Sequence, residues 1–183
     1  MHPALLAFFE SYWLFLKSFF SGTYNNQWMV VDYKMLEKEE IPTEGVLTVL
    51  EQIPGYVTPR DQSDQTKLLL TRGYWKSYNR AFYPEIFNKT GAQDMVDKFG
   101  DWFSYDKTPR SKIIDRDHFE IKDLDSFMRL MRYNDFKNDP FAQIRGCGPE
   151  PNSAGSLANR LDLNDPKVKC DFSEHDHMVG HWG

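Results

Sequence analysis

The chain has 183 residues, 40% of them hydrophobic and 15% aromatic, which is enough to bury one sizeable core. Lysine and arginine total 22 against 27 acidic residues, a formal net charge of −5, and the basic residues are interspersed with acidic ones rather than gathered in a stripe. A phosphate backbone finds no electrostatic footprint to follow, so nucleic acid is excluded as an expected partner.

The first segment, MHPALLAFFESYWLFLKSFF, is mostly apolar or aromatic. Glu10 and Lys17 interrupt it, its longest clean run is Pro3 to Phe9, and no basic residue precedes that run. It is too short to cross a bilayer and lacks the charge pattern of a signal peptide, so it reads as a buried amphipathic helix. Ser21-Gly22 breaks the pattern, and Trp28, Met29, Val30, Val31 and Tyr33 then form a run predicted as a strand buried on both faces. A charged stretch from Glu37 to Glu44 leads to Val46–Leu50, a second buried strand stopped by Pro54-Gly55, so the two strands suggest a hairpin. A third such strand-like run, TKLLLTRGYWKSYN from Thr66 to Asn79, carries β-branched and aromatic residues around Gly73, a place for a bulge or a close backbone approach.

The character then changes. AFYPEIFNKTGAQDMVDKFGDWF reads as short helices punctuated by Pro84, Gly91 and Gly100, with Met95, Val96 and Phe99 on one face. The clearest helix runs from Asp123 to about Asn134, where Leu124, Phe127, Met128 and Met131 repeat at helical spacing, as expected of a core helix. From Asp139 onward Pro, Gly, Asn and Ser accumulate without hydrophobic periodicity, which divides the chain into a domain portion at 1–138 and a loop-rich tail at 139–183. Strands first and helices after give an α+β class with mainly antiparallel sheet, and strands buried on both faces call for a layer on each side.

GxSxG, GxxxxGK[ST], HExxH and CxxC patterns are all missing. The terminal Glu174-His175-Asp176-His177 with His181 has metal-ligand residue types, but a polar chain end without supporting packing is expected to be solvated, and no metal site is expected. Cys147 and Cys170 are compatible with one disulfide, two free thiols or partners elsewhere. Asn88-Lys89-Thr90 is an N-glycosylation sequon. Asn25-Asn26 is the more telling pair, because a turn cap is the ordinary use of such amides, yet an NH2 at the end of a buried strand is also a fixed neutral donor. Such a donor can stabilise the oxyanion that forms when a carbonyl is attacked.

SGTYNNQWMVVDYK, VLTVLEQIPG, the Tyr74-Trp75 and Ser77-Tyr78-Asn79 pieces, GDWFSY from Gly100 to Tyr105, PRSKI with Arg116-Asp117 after it, and MRLMRYNDF from Met128 to Phe136 closely resemble the phospholipase B-like family. These blocks, in the same order, cover roughly residues 11 to 165 and match the C-terminal part of the family's chain; the likeness fades after about Pro166.

The resemblance implies an N-terminal nucleophile hydrolase fold, of which this chain would be a partial αββα sandwich, in lysosomal or extracellular glycoproteins that act on ester or amide bonds of lipids. It implies an internally processed precursor whose exposed cysteine attacks the carbonyl, with no metal or cofactor. That cysteine lies upstream of the matched region, and neither Cys147 nor Cys170 corresponds to it, so the missing N-terminal portion becomes an expected partner beside the lipid substrate. By the same resemblance Asn25 and Asn26 are the candidate oxyanion donors, Arg110 and Arg116 are secondary candidates for substrate contact against an ion-pair role beside Asp106 and Asp115, and Asn88 is the candidate glycan site. The alternative expectation is a catalytically inactive truncated paralogue that binds lipid or protein.

Overall fold

A computed structural model describes residues 11, 14, 26–37, 42–59, 62–142 and 153–163. Asn25, Cys147, Cys170 and the histidine-rich terminus lie outside the described residues. Within the first segment Ser11 and Leu14 are described, both helical, and Leu14 is exposed rather than buried as expected. The chain divides into two compact units, one reaching to Thr90 and the other beginning at Gly91.

The first unit is built on a three-stranded antiparallel sheet in the order β1-β2-β3, with β1 at Gln27–Val31, β2 at Leu47–Ile53 and β3 at Tyr56–Val57. The predicted hairpin of the first two strands is present, in a register that sets Gln27 against Glu51 and Val31 against Leu47. Its centre is β2, whose Leu47, Val49 and Leu50 are buried; each such side chain contributes about 1.5–3 kcal/mol by leaving water. Backbone bonds on the side of β2 away from β1 run to a short extended piece: Val49 N–H donates to the Ser63 carbonyl and Gln65 N–H to that of Leu47, both at 2.8 Å. Pro54-Gly55 makes the tight turn into β3, and Gly55 takes a φ of 78° there, a left-handed value that glycine adopts without strain.

Two expectations in this unit are corrected. β1 is not buried on both faces: Trp28, Met29 and Val31 are 39%, 47% and 41% exposed. It is hydrogen-bonded to β2 on one side, and among the described residues no further strand pairs with its other edge. The segment around Gly73 is not a strand but helix α1, Thr66–Arg72. Asp64, just ahead of the N-cap Gln65, accepts the Thr66 N–H at 2.9 Å, and Gly73, in the left-handed conformation with φ 80°, stops the helix by donating to the Leu69 carbonyl. Helix α2, Pro84–Lys89, follows with proline in its first turn, where the missing N–H costs nothing, and buries Ile86 and Phe87.

The second unit is helical: α3 at Ala92–Phe99, α4 at Pro109–Asp117 and α5 at Leu124–Met131, joined by 3-10 turns. Phe103, Ile113, Phe136 and Ala142 form its interior. The stretch 153–163 belongs to it, since Ala158 N–H donates to the Tyr133 carbonyl at 3.0 Å and Asn134 Nδ2 donates to the Ser153 carbonyl at 3.1 Å. The predicted helix after Asp123 is present, with Asp123 and Ser126 exchanging reciprocal capping bonds. Its expected core role is corrected, because Leu124 is 70%, Phe127 46% and Met131 52% exposed. Helical spacing defines an apolar face; it does not supply the element that covers it.

Candidate functional site

Asn26 is exposed and immediately precedes β1. Side chains alternate along a strand, so Gln27 shares a face with Met29 and Val31, and the period continued by one residue sets Asn26 on the face of Trp28 and Val30. The same continuation of the register sets Asn26 opposite Gln52, a buried residue whose Oε1 has no hydrogen-bond partner among the described residues.

The strand end is tied down through Gln27. Its Nε2 donates to Glu51 Oε1 at 2.6 Å, and its Oε1 accepts the Trp75 indole N–H at 3.1 Å. Glu51 sits in mid-strand on β2, completely buried, and takes two further hydrogen bonds: Phe82 N–H on Oε1 at 2.8 Å and Tyr83 N–H on Oε2 at 3.0 Å. Phe82 in turn meets the Trp75 ring edge-on, with centroids 4.8 Å apart. Burial pushes the Glu51 carboxyl above its ordinary value of 4.5, against the pull of the Phe82, Tyr83 and Gln27 donors that favour the charged form. A carboxylate in such a place with neutral donors alone is unusual; an unmatched one would be expelled or neutralised.

Arg110 and Arg116 stand on α4 in the second unit, and both are engaged there. Arg110 Nε donates to the Ser156 carbonyl at 3.1 Å, and burial lowers its pKa. Arg116 holds Asp117 at 2.6 Å and Asp139 at 2.9 Å, and these hydrogen bonds, Asp117 first, raise its pKa. Burial alone would raise the Asp139 carboxyl, but hydrogen bonds from Arg116 and from the Tyr133 hydroxyl at 2.6 Å outweigh it and hold the carboxyl below its usual value. The carboxylate partners of Arg116 are therefore Asp117 and Asp139, whereas sequence proximity suggested Asp106 and Asp115 for the two arginines. Asn88 is exposed near the end of α2, with Thr90 Oγ1 bonded to the Phe87 carbonyl at 2.9 Å. Among the described residues no cluster of three His, Cys, Asp or Glu side chains could hold a metal ion, and no helix is long and apolar enough to cross a membrane.

The family model for phospholipase B matches residues 9–181, nearly the whole chain. The chain belongs to the phospholipase B family. Phospholipase B-like 2 of Mus musculus is 49% identical over 168 residues, covering 91% of this chain and 28% of the relative. The Homo sapiens protein of that name is 48% identical over 149 residues, 81% of this chain and 25% of the relative, and phospholipase B-like protein A of Dictyostelium discoideum is 43% identical over 143 residues, 78% and 23%. The chain thus spans about a quarter of the length of the curated relatives it matches. The family match runs past Pro166, where the recognisable blocks end.

For this phospholipase B family chain the sequence reading named Asn25 and Asn26 and missed Gln27, Glu51 and Trp75, which are joined at the residue that follows them. Glu51 stands inside an apolar strand two residues after Val49 and four after Leu47, hence on their inward face. That period was the available signal for a buried, partnered carboxylate. Gln27 and Trp75 carried no comparable signal, because their contact joins residues 48 apart in the chain.

Proposed function

We propose that this chain forms the C-terminal portion of a hydrolase acting on ester or amide bonds of lipids, and that it contributes the oxyanion side of the site. Asn25 and Asn26 supply the neutral donors, and the cysteine nucleophile comes from the portion of the family chain upstream of the matched region, within an N-terminal nucleophile hydrolase fold. The observation that carries this reading is Asn26: an exposed amide at a strand end whose next residue is locked on both sides by Glu51 and Trp75. A donor held before the reaction costs no reorganisation when charge develops on the carbonyl oxygen. Arg110 and Arg116, occupied by Ser156, Asp117 and Asp139, fit structural roles in the second unit better than substrate contact. A lysosomal or extracellular location with a glycan on Asn88 accords with the exposed sequon.

The test is a chimera in which this chain replaces the matched quarter of the mouse relative. Fatty-acid release from phospholipid vesicles and from an acyl amide, at a rate within tenfold of the parent, supports the reading. A chimera that is processed and folded like its parent but releases no acyl chain, while the parent does, favours the inactive-paralogue alternative.

A further inference from the structure

We propose that Glu51 and Gln27 are positioning residues for Asn26, acting as a two-step clamp that sets the height and direction of the strand end; this rests on the oxyanion reading above. Gln27 is engaged through both ends of its amide, its NH2 with Glu51 at 2.6 Å and its carbonyl with the Trp75 indole at 3.1 Å. That commitment is what fixes it. An amide bonded through both its oxygen and its nitrogen cannot rotate about its terminal torsion without losing one of the two bonds. Because neighbouring side chains on a strand project to opposite faces, a fixed Gln27 also fixes the outward direction at Asn26.

The other end of the clamp is rigid for a separate reason. Glu51 is completely buried, and the Phe82 and Tyr83 backbone N–H groups grip both its oxygens at 2.8 and 3.0 Å. Its position is therefore set by the chain segment that follows Trp75, and the same segment brings the indole to Gln27. β1 needs such a device, since it is bonded to β2 on one side and its Trp28 and Met29 are 39% and 47% exposed, so packing holds its end less firmly than it holds β2. The register pair Gln27–Glu51 is the last of β1, so Asn26 stands one residue beyond the described ladder.

The clamp is tested in the active chimera by a double-mutant cycle between Gln27→Ala and Asn26→Ala, with Trp75→Phe as the milder variant that removes the indole N–H and retains a ring. The expected result is a fall in kcat of ten- to a hundredfold for Gln27→Ala with KM within twofold, a smaller fall for Trp75→Phe, and little further loss when Gln27→Ala is added to Asn26→Ala. A purely structural Gln27 would instead lower the active fraction, and its effect would multiply with that of Asn26→Ala. If Asn26→Ala costs a hundredfold while Gln27→Ala leaves kcat at the parental value, or if the two losses multiply in full, the clamp is overturned and the oxyanion reading stands. If Asn26→Ala and Asn25→Ala both keep the parental rate, the oxyanion reading fails and the clamp fails with it.

Discussion

Glu51, buried in the central strand, accepts a 2.6 Å hydrogen bond from the side-chain amide of Gln27 on the strand beside it. That pair joins an interior carboxylate to the exposed strand end that carries Asn26, and links the stability of the first unit to the geometry of the proposed site.

The carboxylate predicts a pH dependence. The Glu51 pKa is raised by burial in the folded chain, so between its ordinary 4.5 and its folded value the folded state binds more protons than the unfolded one. Stability from this group is therefore full below about 4.5 and declines as pH climbs through that window. Glu51→Gln removes this slope, but it also turns one oxygen into an NH2 facing an N–H donor. Urea unfolding of the first unit's sheet across pH 4 to 8 should show a flatter profile for the variant and a loss of about 1–3 kcal/mol at the acid end. An unchanged slope would mean that Glu51 does not titrate differently on folding.

The second unit carries the opposite sign. Asp139 is held below its usual 3.8 by Arg116 and Tyr133 despite its burial, so its contribution is present above 3.8 and is lost as pH falls through the folded value. Asp139→Asn leaves Arg116 with Asp117 and takes the acceptor from the Tyr133 hydroxyl. Since Arg116 is 37% exposed, the expected cost is about 2 kcal/mol rather than that of a fully buried pair. Acid titration followed by near-ultraviolet circular dichroism should shift its midpoint upward for this substitution in the wild-type background.

Gly155 tests whether residues 153–163 are an integral part of the second unit. A Cβ there would sit 3.0 Å from the Trp102 ring and 3.1 Å from the Ala142 backbone, tight enough that its neighbours must give by a few tenths of an ångström. Gly155→Ala should cost about 1–3 kcal/mol and alter Trp102 fluorescence. Wild-type stability would show that the segment does not pack in this way in solution.

The sequon is tested by expression in a secretory host. Asn88 is exposed, so Asn88→Gln should lower the apparent mass on a gel by about one glycan while leaving thermal stability unchanged within roughly 0.5 kcal/mol. Equal mobility of the two forms would remove the glycan from the account.

How much of this was legible in the sequence differs by element. The β1–β2 hairpin could be read because Val46–Leu50 and Trp28–Val31 are dense in strand formers on either side of a charged turn. Thr66–Arg72 was misread because Leu68, Leu69 and Leu70 fit either period; the deciding features were its ends, where Asp64 accepts the Thr66 N–H and Gly73 is the stop. The helix Leu124–Met131 was found through its spacing, but its exposure was not, since a periodic face says nothing about what lies against it. The candidate amide Asn26 came through family resemblance, whereas the Gln27–Glu51–Trp75 network needed tertiary contacts between residues 24 and 48 apart in the chain.

The most direct test of the central claim is the rate of acyl transfer in the chimera carrying Asn26→Ala or Asn25→Ala, measured under single-turnover conditions with a phospholipid substrate. The account predicts a loss on the order of a hundredfold or more for at least one of the two, with substrate binding little changed. Parental rates in both variants would contradict it.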